Sequence, residues 1–228
     1  MLKMILISEA GLSPSEMANT KLGLEDYLPE LAPWAFDKVE VSTANFTGDA
    51  SKSDLFKDFA MKVYITNRNA KTDIAGFHDI ENGKPVAYVK PGTTYSRFGY
   101  YHPPVAERKR LGIITVQAKP ATMKMGMFGV LVHEVCEALG NPLRNTFSIP
   151  DGLNRQWYRE ITDHVHGNDF MKVINGVNCV FPDTALPNFY TLNGTTNLSV
   201  KANLTKSFTL TPKGYGFYKG VDGKLVKI

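Results

Sequence analysis

The stretch Met125-Gly126-Met127-Phe128-Gly129-Val130-Leu131-Val132-His133-Glu134-Val135-Cys136-Glu137-Ala138-Leu139 decides how this chain is read. Phe128, Val130, Leu131, Val132, Val135 and Leu139 make it apolar on most sides, which predicts a buried helix. Gly140 is placed to act as its C-cap and Pro142 to stop it. Inside the helix stands His133-Glu134-Val135-Cys136-Glu137, an H-E-x-x-E pattern. Helical residues i and i+4 differ by about 40° in azimuth and about 6 Å in rise. The imidazole of His133 and the carboxylate of Glu137 therefore project from one face and can bind one metal ion. Glu134 is turned away by about 100° and can reach a metal-bound water rather than the metal. The geometry is that of H-E-x-x-H metallohydrolases, with glutamate for the second histidine. A surface hydrogen bond between His133 and Glu137 is the plainer alternative. Polar groups on a buried helix need partners, and this favours the metal.

A hydrolytic metal needs a third protein ligand and an open position. Candidates lie in Arg159-Glu160-Ile161-Thr162-Asp163-His164-Val165-His166. Glu160 can fold back over the helix as the third ligand. Asp163 can bind directly or orient His133 through a hydrogen bond. His164 and His166 would share one face of a strand and could bind metal themselves. One histidine with two carboxylates neutralises Zn²⁺ fully, and so oxygen-rich a set also suits Mn²⁺ or Ca²⁺.

Outward from the helix, the pattern predicts an α+β chain. Met1 to Glu9 reads as a first strand, too short in its apolar run for a signal peptide. Ser13-Pro14-Ser15-Glu16 predicts a capped helix running toward Leu31, with an interruption near Gly23. Strands are expected at Val39–Ser42, Lys62–Thr66, Val86–Val89 and Leu111–Val116. A short helix is expected from Asp54 to Ala60, and a loop from Pro91 to Pro104. Asn82-Gly83 carries a hairpin signal. Beyond Pro142 short strands are expected at Trp157–Ile161, around Val173–Val177, at Phe208–Leu210 and at Lys224–Val226. Without a repeat or linker, residues 1–228 read as one domain. Its first part, 1–142, holds the sheet and the H-E-x-x-E helix; the second, 143–228, is loop and β-rich.

Composition narrows the partners. The 228 residues are 43% hydrophobic and 21% charged, which excludes a coiled coil, a fibre or a mostly disordered chain. No run of 18 apolar residues exists, so no membrane span is expected. Twenty-six Lys and Arg against 22 Asp and Glu give +4, spread along the chain apart from Arg108-Lys109-Arg110, so no nucleic-acid partner is expected. Cys136 and Cys179 make no disulfide framework, which fits a reducing compartment.

Four stretches resemble a family of small uncharacterised tailed-bacteriophage proteins with a zincin-like H-E-x-x-E motif, regarded as metallopeptidases. They are Ala75-Gly76-Phe77-His78-Asp79 with Gly83-Lys84-Pro85-Val86-Ala87; Val132 to Pro142; Glu160-Ile161-Thr162-Asp163; and Asp183-Thr184-Ala185-Leu186-Pro187-Asn188-Phe189-Tyr190. A weaker match runs from Phe208-Thr209-Leu210 to Lys213-Gly214-Tyr215. His164 departs from the proline usual after Asp163, and Lys213 from a glycine. The resemblance implies a zincin-like fold and a phage origin, hence a place in the virion or in the cytoplasm of the infected host.

The resulting expectation is a zinc-dependent hydrolase acting on a peptide or protein. His133, Glu137 and Glu160 hold the ion, with Asp163 beside them, and Glu134 moves the proton. His78 is the candidate for stabilising the oxyanion. A strand at Val86 to Lys90 would bind extended peptide along the cleft. The rival is a non-catalytic virion structural protein that keeps the zincin-like fold among other virion proteins, with Thr191–Thr205 as an exposed, protease-resistant β surface. A thiol enzyme built on Cys136 is disfavoured, because the helix C-terminal end opposes a thiolate.

Overall fold

The computed structural model describes residues 1–68, 74–92, 97–102, 105–108, 116–119 and 122–228. Most of the strand expected at 111–116, and Lys109 and Arg110 of the basic cluster, lie outside these residues. The described part is α+β.

Five strands form the N-terminal sheet: β1 (Leu2–Ser8), β2 (Val39–Asn45), β3 (Met61–Ile65), β4 (Gly76–Glu81) and β5 (Lys84–Val89). Their order is β2-β1-β3-β5-β4, all parallel except β4, which pairs antiparallel with β5. Alternation along β1 sends Met4 and Leu6 into the larger hydrophobic cluster and Ile5 and Ile7 into a smaller one with Phe56, Tyr64 and Val86. Burial on both faces explains its unbroken apolar run. The β4–β5 hairpin turns at Asn82 and Gly83, with φ of 53° and 74°. Positive φ at both central residues is what a type I′ turn requires, and Asn-Gly supplies it at low cost. The segment expected to bind peptide is therefore interior: β5 is paired on both sides, and β4 is the edge strand.

Helix α1 (Pro14–Tyr27) starts at Ser13 in a capping box with Glu16. It then tightens into a 3₁₀ turn over Leu28–Trp34. Gly23 does not interrupt it; a Cβ there would lie 2.6 Å from the Phe128 ring, so glycine lets a second helix approach closely. That helix, α2 (Met127–Gly140), carries the H-E-x-x-E residues and packs on β4 and β5. Gly140 is its last residue and Asn141 the C-cap, one position later than expected. The Asp54–Ala60 segment forms only a 3₁₀ turn, Asp54–Phe56.

Between sheet and α2, short strands β6 (Tyr100–His102), β7 (Val105–Arg108), β8 (Val116–Lys119) and β9 (Thr122–Lys124) pair as β6–β9 and β7–β8. The expected loop at 91–104 thus includes a strand. After α2 come β10 (Phe147–Pro150), β11 (Gln156–Tyr158), β12 (Phe170–Ile174), β13 (Val177–Phe181), β14 (Phe217–Lys219) and β15 (Leu225–Lys227). They form a sheet ordered β10-β11-β14-β15 and a β12–β13 hairpin. Phe208–Leu210 is not a strand; Phe208 sits at a positive φ of 55°, which a ladder does not accept. Thr191–Thr205 is turns and bends apart from one bridge, Ala185 to Ser199, so it offers no extended β surface. Among the described residues no helix is long and apolar enough to cross a membrane.

The C-terminal part is tied down by buried polar bonds. The Tyr27 hydroxyl lies 3.0 Å from the Pro182 carbonyl, to which it donates, and 2.6 Å from the Thr184 hydroxyl. Asp183, fully buried, accepts from the backbone N–H of Thr184 and Lys201 and from the Asn203 amide, all at 2.8–2.9 Å. Asp183→Ala leaves these donors without their acceptor. It is expected to cost at least about 2 kcal/mol of unfolding free energy, read by urea denaturation; a loss under about 0.5 kcal/mol would mean that Asp183 anchors nothing.

Candidate metal centre

Three elements bring six titratable residues together, all of them buried. α2 supplies His133, Glu134 and Glu137. Strand β4 supplies His78, carried there by the hairpin. The segment after β11 supplies Glu160 and Asp163.

Two groups of ligand atoms lie within 4.8 Å of one another: His133, Glu137 and Asp163, and His78, Glu134 and Glu137. In the first, His133 Nε2 is 3.2 Å from both Glu137 Oε1 and Asp163 Oδ1. In the second, His78 Nδ1 is 3.4 Å from both Glu134 Oε2 and Glu137 Oε2. The other ring nitrogen of His78, Nε2, is 3.4 Å from Glu160 Oε2. Donors bound to one ion at about 2.1 Å stand about 3.0–3.4 Å apart at tetrahedral or octahedral angles. These spacings fit that range.

The i,i+4 pairing of His133 with Glu137 follows the sequence expectation. The two other carboxylate candidates part company. Asp163, not Glu160, completes the group around His133, and Glu160 turns to His78. The reason is the 3₁₀ turn Asp163–Val165, held by Ala185 N–H on the Ile161 carbonyl (2.7 Å) and Tyr215 N–H on the Asp163 carbonyl (3.0 Å). His78, the candidate for stabilising an oxyanion, lies between these carboxylates. Both of its ring nitrogens face carboxylates, an arrangement that suits a ligand or a charge partner better than an oxyanion donor.

His164 and His166 do not share a strand face, since they fall on and after that turn. His164 is fully buried against Trp157, Phe189 and Tyr190, and burial lowers its pKa to about 4. The His166 ring lies 6.2 Å from that of His133. Cys136 is a buried free thiol whose pKa burial pushes up, as an inert packing residue requires.

Thr162 and Gly76, each inside a quoted stretch but with no role assigned from sequence, flank the cluster. Thr162 donates its hydroxyl to Glu137 Oε1 at 2.6 Å, fixing that carboxylate. Gly76 on β4 faces α2: a Cβ there would lie 2.7 Å from Val130 Cγ1 and 2.9 Å from Glu134 Cγ. Nothing local to Thr162 marks that its hydroxyl reaches the helix.

The electrostatics call for positive charge. Burial, followed by the charge of Glu137, raises Glu160 to about 8 and Asp163 to about 6. Burial opposes the His78 cation, yet Glu134, Glu137 and Glu160 overcome it and push its pKa up to about 10. Burial opposes charge on His133 too, but Glu137 and Asp163 hold it well above the usual histidine range. Glu137 is held well below the carboxylate range: burial opposes its charge, but His133 and His78 outweigh it. Three atoms of the cluster, His78 Nε2, Glu160 Oε2 and Asp163 Oδ1, are buried without a hydrogen bond to any described residue. Buried polar atoms without partners are costly; an ion in the first group would satisfy Asp163 Oδ1, while His78 Nε2 and Glu160 Oε2 face each other. The residues therefore fit a divalent cation, with His133, Glu137 and Asp163 as the set that leaves Glu134 beside it. No family model, curated protein or solved structure matches the chain.

Gly76→Ala forces β4 away from α2. It is expected to lose about 1–3 kcal/mol by urea denaturation and to weaken Zn²⁺ binding by calorimetry. Unchanged stability and affinity would mean that the close approach of strand and helix does not shape the cluster.

Proposed function

We propose that the protein is a zincin-like metal-dependent hydrolase, of the peptidase type, encoded by a tailed bacteriophage. The observation that carries this reading is the convergence of His133, Glu137 and Asp163 with Glu134 adjacent on α2. The resemblance in the stretches around His78, His133, Glu160 and Asp183 supports the phage origin, and with it action in the virion or in the infected host's cytoplasm.

His133, Glu137 and Asp163 would hold Zn²⁺, or Mn²⁺ or Ca²⁺ given the oxygen-rich set. When bound, the ion supplies Lewis acidity for water and for a carbonyl. Glu134 takes a proton from the attacking water and returns it to the leaving amine. Thr162 keeps Glu137 oriented through its 2.6 Å hydrogen bond. Among the described residues β4 ends the sheet next to the cluster, and its outer edge can pair with an extended peptide. That edge, together with amide-cleaving chemistry, favours a peptide or protein substrate.

Purified protein loaded with Zn²⁺ is expected to cleave an unfolded protein. Glu134→Gln should lower the rate about 10²–10⁴-fold while retaining an ion at His133, Glu137 and Asp163. Zn²⁺ at a hundred times its dissociation constant should stabilise the fold by about 2.7 kcal/mol. Equal cleavage by both forms, or no metal-dependent stabilisation, contradicts the reading.

A further inference from the structure

We propose that the cluster holds two divalent cations bridged by Glu137, the second bound by His78, Glu134 and Glu137, with Glu160 orienting His78. This rests on the metal-centre reading above and extends it.

Glu137 is placed as a bridge. Its Oε1 faces His133 Nε2 at 3.2 Å and its Oε2 faces His78 Nδ1 at 3.4 Å, so its two oxygens serve two different histidines. Around His78 the ring nitrogens have different surroundings. Nε2 faces the single oxygen Glu160 Oε2 at 3.4 Å, and neither atom makes a hydrogen bond to a described residue. A proton on Nε2 directed at Glu160 gives the carboxylate–histidine–metal arrangement that fixes a ligating ring. Nδ1, which hydrogen-bonds Glu134 Oε2 at 3.4 Å, gives up its proton in that tautomer, and its lone pair then faces Glu134 Oε2 and Glu137 Oε2, both at 3.4 Å. Three acceptors converge there, and a cation joins them.

Charge supports the same count. Glu134, Glu137, Glu160 and Asp163 are four buried carboxylates beside two imidazoles. With both imidazoles neutral, as ligation requires, and all four carboxylates ionised, one divalent ion leaves two negative charges in the interior and two ions balance all four; unpaired buried charge is costly. Paired catalytic ions stand about 3.5–4 Å apart, a separation one carboxylate can bridge. Glu134 gives Oε2 to the second ion and keeps Oε1 for the proton. The oxygen and nitrogen donors suit Mn²⁺ as well as Zn²⁺.

The test is to strip the full chain with a chelator, titrate it with Mn²⁺ alone, and count bound metal after desalting. Two Mn²⁺ per chain are expected, with the electron-spin-resonance signal of a coupled pair at the second equivalent. His78→Ala should bind one. Glu160→Gln should weaken the second equivalent 10–100-fold and leave the first unchanged. If His78→Ala does not fold, the wild-type count and the coupling still decide. One Mn²⁺ per chain in the wild type, with a protonated His78 as the second positive charge, overturns the two-ion proposal and leaves the single-ion reading standing. No bound Mn²⁺ and no bound Zn²⁺ overturns both. Two uncoupled ions, indifferent to Glu160→Gln, overturn the bridge.

Discussion

Burying Glu134, Glu137, Glu160 and Asp163 in one space with only two histidines is the constraint on which the rest of the structure depends. Carboxylates so close repel one another, and burial removes the water that would screen them. The effect is visible in Glu160, raised to about 8, and Asp163, raised to about 6, by burial and then by Glu137. The energy needed to assemble such a cluster must be recovered, and a cation held by these groups would recover it. Interactions elsewhere hold the groups in place.

The scaffold does this from three directions. An Asn-Gly turn sets the β4–β5 register and so places His78 opposite Ala87. Gly76 lets β4 lie against α2, and Gly140 lets Ile161 close on the helix end, where a Cβ would be 3.0 Å from Cδ1 of Ile161. The turn bearing Asp163 hangs from backbone bonds to Ala185 and Tyr215, and Ala185 also accepts from the indole of Trp34 at 2.9 Å. N-terminal and C-terminal residues therefore share the hydrophobic cluster behind the site, from Met4 to Leu204.

Local features were legible in the sequence. The capping box at Ser13, the Asn82-Gly83 turn and the apolar girdle of α2 each depend on residues a few positions apart. The pairing of His133 with Glu137 is helical arithmetic of the same kind. The rest needed distant partners. Whether Glu160 or Asp163 reaches His133 depends on a turn held by Ala185 and Tyr215, both far downstream, and no spacing rule conveys that. His78 enters on another element, so its approach to α2 follows from sheet order. Phe208–Leu210 has strand-forming residues, yet the pairing goes to β14, which finds β11 and β15 as neighbours. Gly23 marks close packing against Phe128 rather than a break, a distinction that only the neighbouring helix makes.

The central claim is that His133, Glu137 and Asp163 surround a cation. Crystals grown with Zn²⁺ and measured at the zinc absorption edge test it most directly. The account predicts an anomalous peak about 2.0–2.2 Å from His133 Nε2, Glu137 Oε1 and Asp163 Oδ1. The absence of any peak there, with His133 donating a hydrogen bond to a carboxylate instead, would contradict it.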